Sequence, residues 1–256
     1  MEIIDFHTHP YLTNDDNICI YKNEAMPEGE IRDYTLSDLR RIGINRFAGS
    51  VISRCGEGFE PIRRSNEIAR KMCTISGGTY IPGIQLHPTY LEDSIREIDK
   101  AKTGGVKLIG ELVPYFYGWD YDKEGFEEIL DYTDKLDFVY SMHSTNILLM
   151  KEIAKRHKNT NFVFAHPGEA DRLKLHIETM KECDNVYLDL SGTGLFRYGM
   201  LKHLVNEVGA ERILFGSDYP ICNPAMYIGG VLYERLRESE FELIMAGNAK
   251  RLLNLD

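Results

Sequence analysis

The 256-residue chain has no CxxC pair among its five cysteines, no low-complexity tract, no basic excess and no apolar run long enough to span a bilayer. Each absence narrows the field. Cys19, Cys55, Cys73, Cys183 and Cys222 are odd in number and widely spaced. They argue against a zinc-finger or disulfide framework and for reduced thiols, hence a cytoplasmic setting. Short apolar runs argue against a membrane protein. Asp5 and His7 interrupt the first of them, so no secretory signal is expected. Lys and Arg total 30 against 40 Asp and Glu, a net charge of −10, which weighs against passive binding to nucleic-acid phosphates. It leaves room for an enzyme whose metal supplies the positive field locally. Without repeats or Pro/Gly/Ser-rich linkers, residues 1–256 read as one soluble domain.

What is present is a recurring rhythm. β-rich runs fall at 2–7, 44–52, 79–86, 105–112, 137–143, 161–166, 185–191 and 212–218. Between them lie segments with apolar residues at helical spacing, among them "TLSDLRRIG", where Thr35 opens a capping-box pattern. Strand and helix alternate eight times in a chain of this length, which predicts an α/β fold, a (β/α)8 TIM barrel with a parallel sheet. The stretch 10–34 is too long for a plain βα loop and is expected to form a lid over one mouth.

Active sites of such barrels lie at the C-terminal ends of the strands. Five of the eight histidines fall there: His7 and His9 after the first strand, His87 after the third, His143 after the fifth and His166 after the sixth. His157, His176 and His203 sit in helical segments and read as surface residues. "GELVP" places Glu111 at the end of strand four, and "GSDYP" places Asp218 at the end of strand eight. Alternation along a strand turns His7 and His9 the same way. Imidazoles and carboxylates gathered on one rim suit zinc or a similar divalent ion.

On these residues the chain resembles the metal-dependent amidohydrolase superfamily over nearly its whole length. "DFHTHP" matches that superfamily's first-strand HxH, "MHS" its strand-five His143, "AHPG" its strand-six His166 and "LFGSDYP" its strand-eight Asp218. "AGNAKRLLNL" resembles the closing helix of the branch with aminocarboxymuconate semialdehyde decarboxylase. That likeness implies one zinc held by the HxH pair, His143 and Asp218, with His166 beside its water. "PGIQLHP" and "IGELVPYFYGWDYDKEGFEEIL" resemble TatD-type hydrolases instead, in which the strand-four glutamate bridges two metals. The resemblance therefore leaves one ion, or two if Glu111 bridges and His166 joins. A carboxylated Lys107, as in other binuclear members, is a third option.

The expected chemistry is hydrolysis of a small amide, ester, lactone or phosphoester. Asp218 is the expected proton carrier, and His166 orients the water or holds a second ion. His87, Arg54 and Arg197 are the expected contacts to an anionic substrate, guanidinium forks being suited to carboxylate or phosphate. Tyr115, Tyr117 and Trp119 either line the pocket or pack outside it. A decarboxylase or hydratase of an unsaturated acid and a TatD-like nuclease are the rival activities. A catalytically silent barrel is the rival class. Homo-oligomer formation stays open.

Overall fold

The computed structural model describes residues 1–19, 31–54 and 56–256, with 31–34 as backbone only. Eight parallel strands follow one another in chain order. They are β1 (Ile4–Asp5), β2 (Arg46–Ser50), β3 (Tyr80–Ile84), β4 (Leu108–Leu112), β5 (Val139–His143), β6 (Asn161–Ala165), β7 (Val186–Asp189) and β8 (Ile213–Leu214). Each lies inside a run expected from the sequence. Neighbours pair in parallel from β1·β2 to β7·β8.

The barrel closes through the loops beyond the two shortest strands. Phe6 N donates to Phe215 O at 2.8 Å, Asp218 N to His7 O at 2.8 Å and His9 N to Tyr219 O at 2.6 Å. Thr8 and Tyr219 form a parallel bridge. The last strand is therefore stitched to the first at the mouth, which brings Asp218 beside the HxH pair.

Two apolar layers hold the barrel. Ile4, Ala48, Leu108, Val139, Val163 and Leu214 form a buried cluster with Ala249, Leu252 and Leu253 of the C-terminal helix Asn248–Leu253. A larger layer joins the other strand faces, including Phe47, Tyr140 and Phe164, to helical residues such as Met72, Ile98 and Leu204. Burying such side chains contributes about 1.5–3 kcal/mol each. The helix Glu60–Ser76 is typical: its buried residues include Ile62, Ile68, Ala69 and Met72 on one stripe.

Three expectations need correcting here. Thr35 is not a helix N-cap, because the helix Ile31–Arg41 begins four residues earlier. His157 and His176 are buried, at 5% and 1% exposure, while His203 is exposed as expected. His176 shares its helix face with Leu173, Ile177 and Met180, and burial pushes its pKa down to about 3. The expected lid at 10–34 lies in large part outside the described residues. In its described part Tyr11 is buried, and Asp16 in the 3-10 turn Asn14–Asp16 pairs with Arg64 at 2.8 Å. No helix among the described residues is long and apolar enough to cross a membrane.

Candidate metal centre

Strand ends deliver the polar side chains to one point. Glu111 is 3% exposed and sits at its centre. Its Oε2 lies 3.2 Å from His7 Nε2 and 3.2 Å from His9 Nε2. Its Oε1 lies 2.9 Å from His143 Nδ1 and 3.3 Å from His166 Nε2. One carboxylate thus faces two imidazole pairs, one pair per oxygen. Asp218 adds Oδ1 to the first pair, 3.6 Å from His7 Nε2 and 3.5 Å from His9 Nε2. His166 and Asp218 follow β6 and β8 with φ of 68° and 65°. This left-handed backbone is costly for residues other than glycine, and at Asp218 it is held by the N–H bond to His7 O.

The electrostatics are those of an ion network. At His7, burial opposes a charged ring, but the Glu111 and Asp189 carboxylates hold its pKa well above the usual histidine range. At His9 burial is likewise outweighed, by bonds to Asp218 and Glu111, and the pKa is pushed up to about 9. His166 is raised against burial by Glu111. Glu111 is buried too, yet His7, His143 and His166 hold it well below the usual carboxylate range. Asp5, just beneath, is pushed up to about 7 by burial, although Ser217 and the His7 N–H donate to it.

The donor set fits a cation. His9 Nδ1 donates to Ser50 O at 2.8 Å, and His7 Nδ1 donates to Asp189 at 2.9 Å. With Nδ1–H used, each neutral ring turns the Nε2 lone pair to the centre, where the two Nε2 atoms stand 3.3 Å apart. Two lone pairs facing each other need a proton or a metal between them. The same holds for His143 Nδ1 and His166 Nε2, 3.2 Å apart. Three- and four-donor sets of nitrogen and oxygen suit divalent ions. His7, His9 and Glu111 form one such group, and Glu111, His143 and His166 another. The Glu111 backbone is itself fixed, since Ser50 Oγ donates to its carbonyl at 2.9 Å and Gln85 Nε2 also donates to it.

A cavity of about 240 Å³ opens above the cluster. It is lined by His9, Glu111, His143, His166 and Asp218 together with Ile18, Arg54, Tyr115 and Phe116. The Arg54 guanidinium lies 3.9 Å from the Phe116 ring centroid and makes no ion pair among the described residues. A wider space of about 620 Å³ continues past His143 and His166 toward Arg172, Phe196 and Tyr227.

Not every expected residue arrives. His87 turns away: Nε2 donates to Tyr117 O at 3.1 Å, and Nδ1 accepts from Thr89 N at 3.2 Å, so it caps a turn behind the wall. Arg197 is 64% exposed, lines neither space, and pairs at 3.1 Å with Glu169 on the rim of the wider one. Lys107 pairs with Asp137 at 2.7 Å on the surface, which rules it out as a bridging group. The aromatic trio divides. Tyr115 lines the cavity and meets the His143 ring edge-on at 4.9 Å. Tyr117 bonds Ser65 and Ser53, and Trp119 packs on Tyr121 and Phe126.

The sequence reading also passed over two residues. Asp189 and Ser191 of "YLDLS" stand directly behind His7 and His166. Their i, i+2 spacing at the end of β7 is the signal that places both on one face.

Comparison with known proteins bears on the family and the fold. A family model described as Amidohydrolase matches residues 4–255. No curated protein gives a significant match. Among solved structures, the chain is similar to 2,6-dihydroxybenzoate decarboxylase from Rhizobium, at 18% identity and TM-score 0.72 over 99% of this chain and 98% of that one. It is similar to an uncharacterized TIM-barrel protein from Bordetella bronchiseptica, at 15% identity and TM-score 0.77 over 99% of both. It is also similar to a dihydroxybenzoic acid decarboxylase from Polaromonas with bound manganese and 2-nitroresorcinol, at 16% identity and TM-score 0.72 over 99% of this chain and 97% of that one.

Proposed function

The chain belongs to the amidohydrolase family, and from that premise we propose that it is a metal-dependent hydrolase of a small anionic amide, ester, lactone or phosphoester. The observation that carries this reading is the division of the Glu111 carboxylate between two imidazole pairs. In this reading His7, His9, Glu111 and Asp218 would hold one divalent ion, and Glu111, His143 and His166 a second. Zinc is the ion we propose, given the nitrogen-rich donor set. Bound metal would supply Lewis acidity at a C=O or P=O and a water ionised near neutral pH.

The side chains do the rest. Asp218 accepts a proton from the attacking water on the carboxylate oxygen that faces the cavity and returns it to the leaving group. Its backbone is pinned beside the HxH pair by the Asp218 N–H to His7 O bond. Arg54, braced on Phe116, takes the substrate's anionic group, and Tyr115 and Val113 shape the wall beside it. Ile18 and Ile52 add apolar lining to the same cavity.

A second reading is decarboxylation of an aromatic acid. It is favoured by the Arg54 guanidinium, which lies on an aromatic ring and has no ion pair among the described residues, and by the dihydroxybenzoate chemistry named for two of the structural relatives. Purified enzyme loaded with zinc or manganese, offered both substrate classes, separates the two. Acid, alcohol or phosphate release from esters, lactones or phosphoesters supports hydrolysis. CO2 release from hydroxybenzoates with no such hydrolysis overturns the hydrolase reading. Failure to take up any divalent metal overturns both.

A further inference from the structure

We propose that Asp189 and Ser191 of the β7 end are positioning residues that set the tautomers of His7 and His166 together, and so tie the two halves of the metal centre to one buried carboxylate. This rests on the reading that both imidazoles are metal ligands.

The hydrogens can be counted. Asp189 is fully buried, and its Oδ2 lies 2.9 Å from His7 Nδ1. Its Oδ1 accepts the Ser191 backbone N–H at 2.9 Å and, in a short contact, the Ser191 hydroxyl. Ser191 Oγ is also 3.0 Å from His166 Nδ1 and 3.0 Å from His7 Nδ1. A serine hydroxyl has one hydrogen and two lone pairs. If that hydrogen pointed at either imidazole, the short Ser191–Asp189 contact would set oxygen lone pairs against each other. The hydrogen therefore goes to Asp189, and Ser191 Oγ accepts from His166 Nδ1–H. His7 Nδ1–H goes to Asp189 directly. Both rings then carry hydrogen on Nδ1 and turn Nε2, bare, to Glu111. One carboxylate fixes one ligand by contact and the other through one hydroxyl.

The space around this relay is closed. A Cβ on Gly192 would stand 2.4 Å from His166 Nδ1. A Cβ on Gly216 would stand 2.8 Å from His7 Cβ and 3.4 Å from Asp189 Oδ1. Gly192 thus leaves room for the His166 ring, and Gly216 leaves room for the His7 Cβ and the Asp189 carboxylate. Groups that orient ligating histidines commonly change metal affinity by about 10–100-fold when removed.

Two variants read the relay differently. Ser191→Ala removes one oxygen and leaves the His7–Asp189 bond. Asp189→Asn replaces two acceptors by one acceptor and one donor. Turned one way, its amide faces His7 Nδ1 and forces the hydrogen onto Nε2. Turned the other way, it donates to Ser191, whose own hydrogen then has only His166 Nδ1 as its acceptor. The experiment is zinc competition titration of the full-length protein, together with long-range 1H–15N correlation of its labelled histidines in the zinc-loaded state. In Ser191→Ala the more weakly held zinc should lose about 10–100-fold in affinity and His166 its fixed Nδ1–H signature, with the tighter zinc and His7 unchanged. In Asp189→Asn both zinc affinities should fall. Wild-type zinc affinities and a wild-type His166 signature in Ser191→Ala would overturn the proposal while leaving the metal reading intact. A wild-type protein that takes up no zinc would overturn the metal reading, and this proposal with it.

Discussion

The two imidazole pairs around Glu111 are made of the same atoms and placed differently. The side chains of His7 and His9 are 1% and 2% exposed, each ring tied by Nδ1 to a buried acceptor. Those of His143 and His166 are 25% and 16% exposed and border both the cavity and the wider space beyond it. The first pair lies deep in the stitch between β1 and β8, and the second lies in the open wall. Burial raises the strength of every charge interaction there, because the local dielectric is low. On the reading proposed above, the deep pair would retain an ion and the open pair would hold one where substrate arrives.

The largest test of this contrast removes what the pairs share. Glu111→Gln takes the anionic bridge from both, and metal analysis should find both ions lost together with activity. Two retained equivalents would break the comparison at its root. Next in size is Asp218→Asn, which should lower kcat by about 10²–10⁴-fold while metal content changes less, as checked by turnover and metal assay side by side. His143→Ala should then separate the halves: the deep ion stays and the open one leaves, with the thermal transition changed less than in His7→Ala. Equal losses from the two variants would show that the halves act as one site.

Arg54→Ala should produce a smaller effect. Losing one charge-assisted bond to an anionic substrate raises KM by about 10–100-fold, with kcat changed less, and a neutral analogue should show little difference.

Last is the effect of pH on the metal-free protein. His9 stands at about 9, above its ordinary 6.5. Its pairing therefore stabilises the fold fully below pH 6.5 and is lost as the pH rises through 9. Metal must displace that proton, so affinity for the deep ion should rise by about tenfold per pH unit up to that point for each proton released. Competition titrations at three pH values check the slope.

The contrast also shows what a sequence can disclose. Strands β2 to β7 and the collection of His7, His9, Glu111, His143, His166 and Asp218 on one rim were legible, because alternation and strand-end placement are local properties. The ends of the barrel were less so: β1 and β8 are two residues each, and their closure runs through side-chain clamps and loop bonds such as Phe6 to Phe215. His87 and Arg197 sit at the expected strand ends yet face other partners, and which way a loop side chain turns is decided by tertiary neighbours. His176 read as a surface residue because a histidine on a helix is ambiguous, but it occupies an apolar stripe. Asp189 and Ser191 were hidden for another reason. They touch the ligands rather than joining them, and only the folded barrel puts β7 behind β1.

The most direct measurement of the central claim is an anomalous difference map from crystals of the manganese-loaded protein. Two peaks about 3.5–4 Å apart, one on each side of the Glu111 carboxylate, are the expected result. A single peak beside His7 and His9 with Glu111 turned away would contradict it.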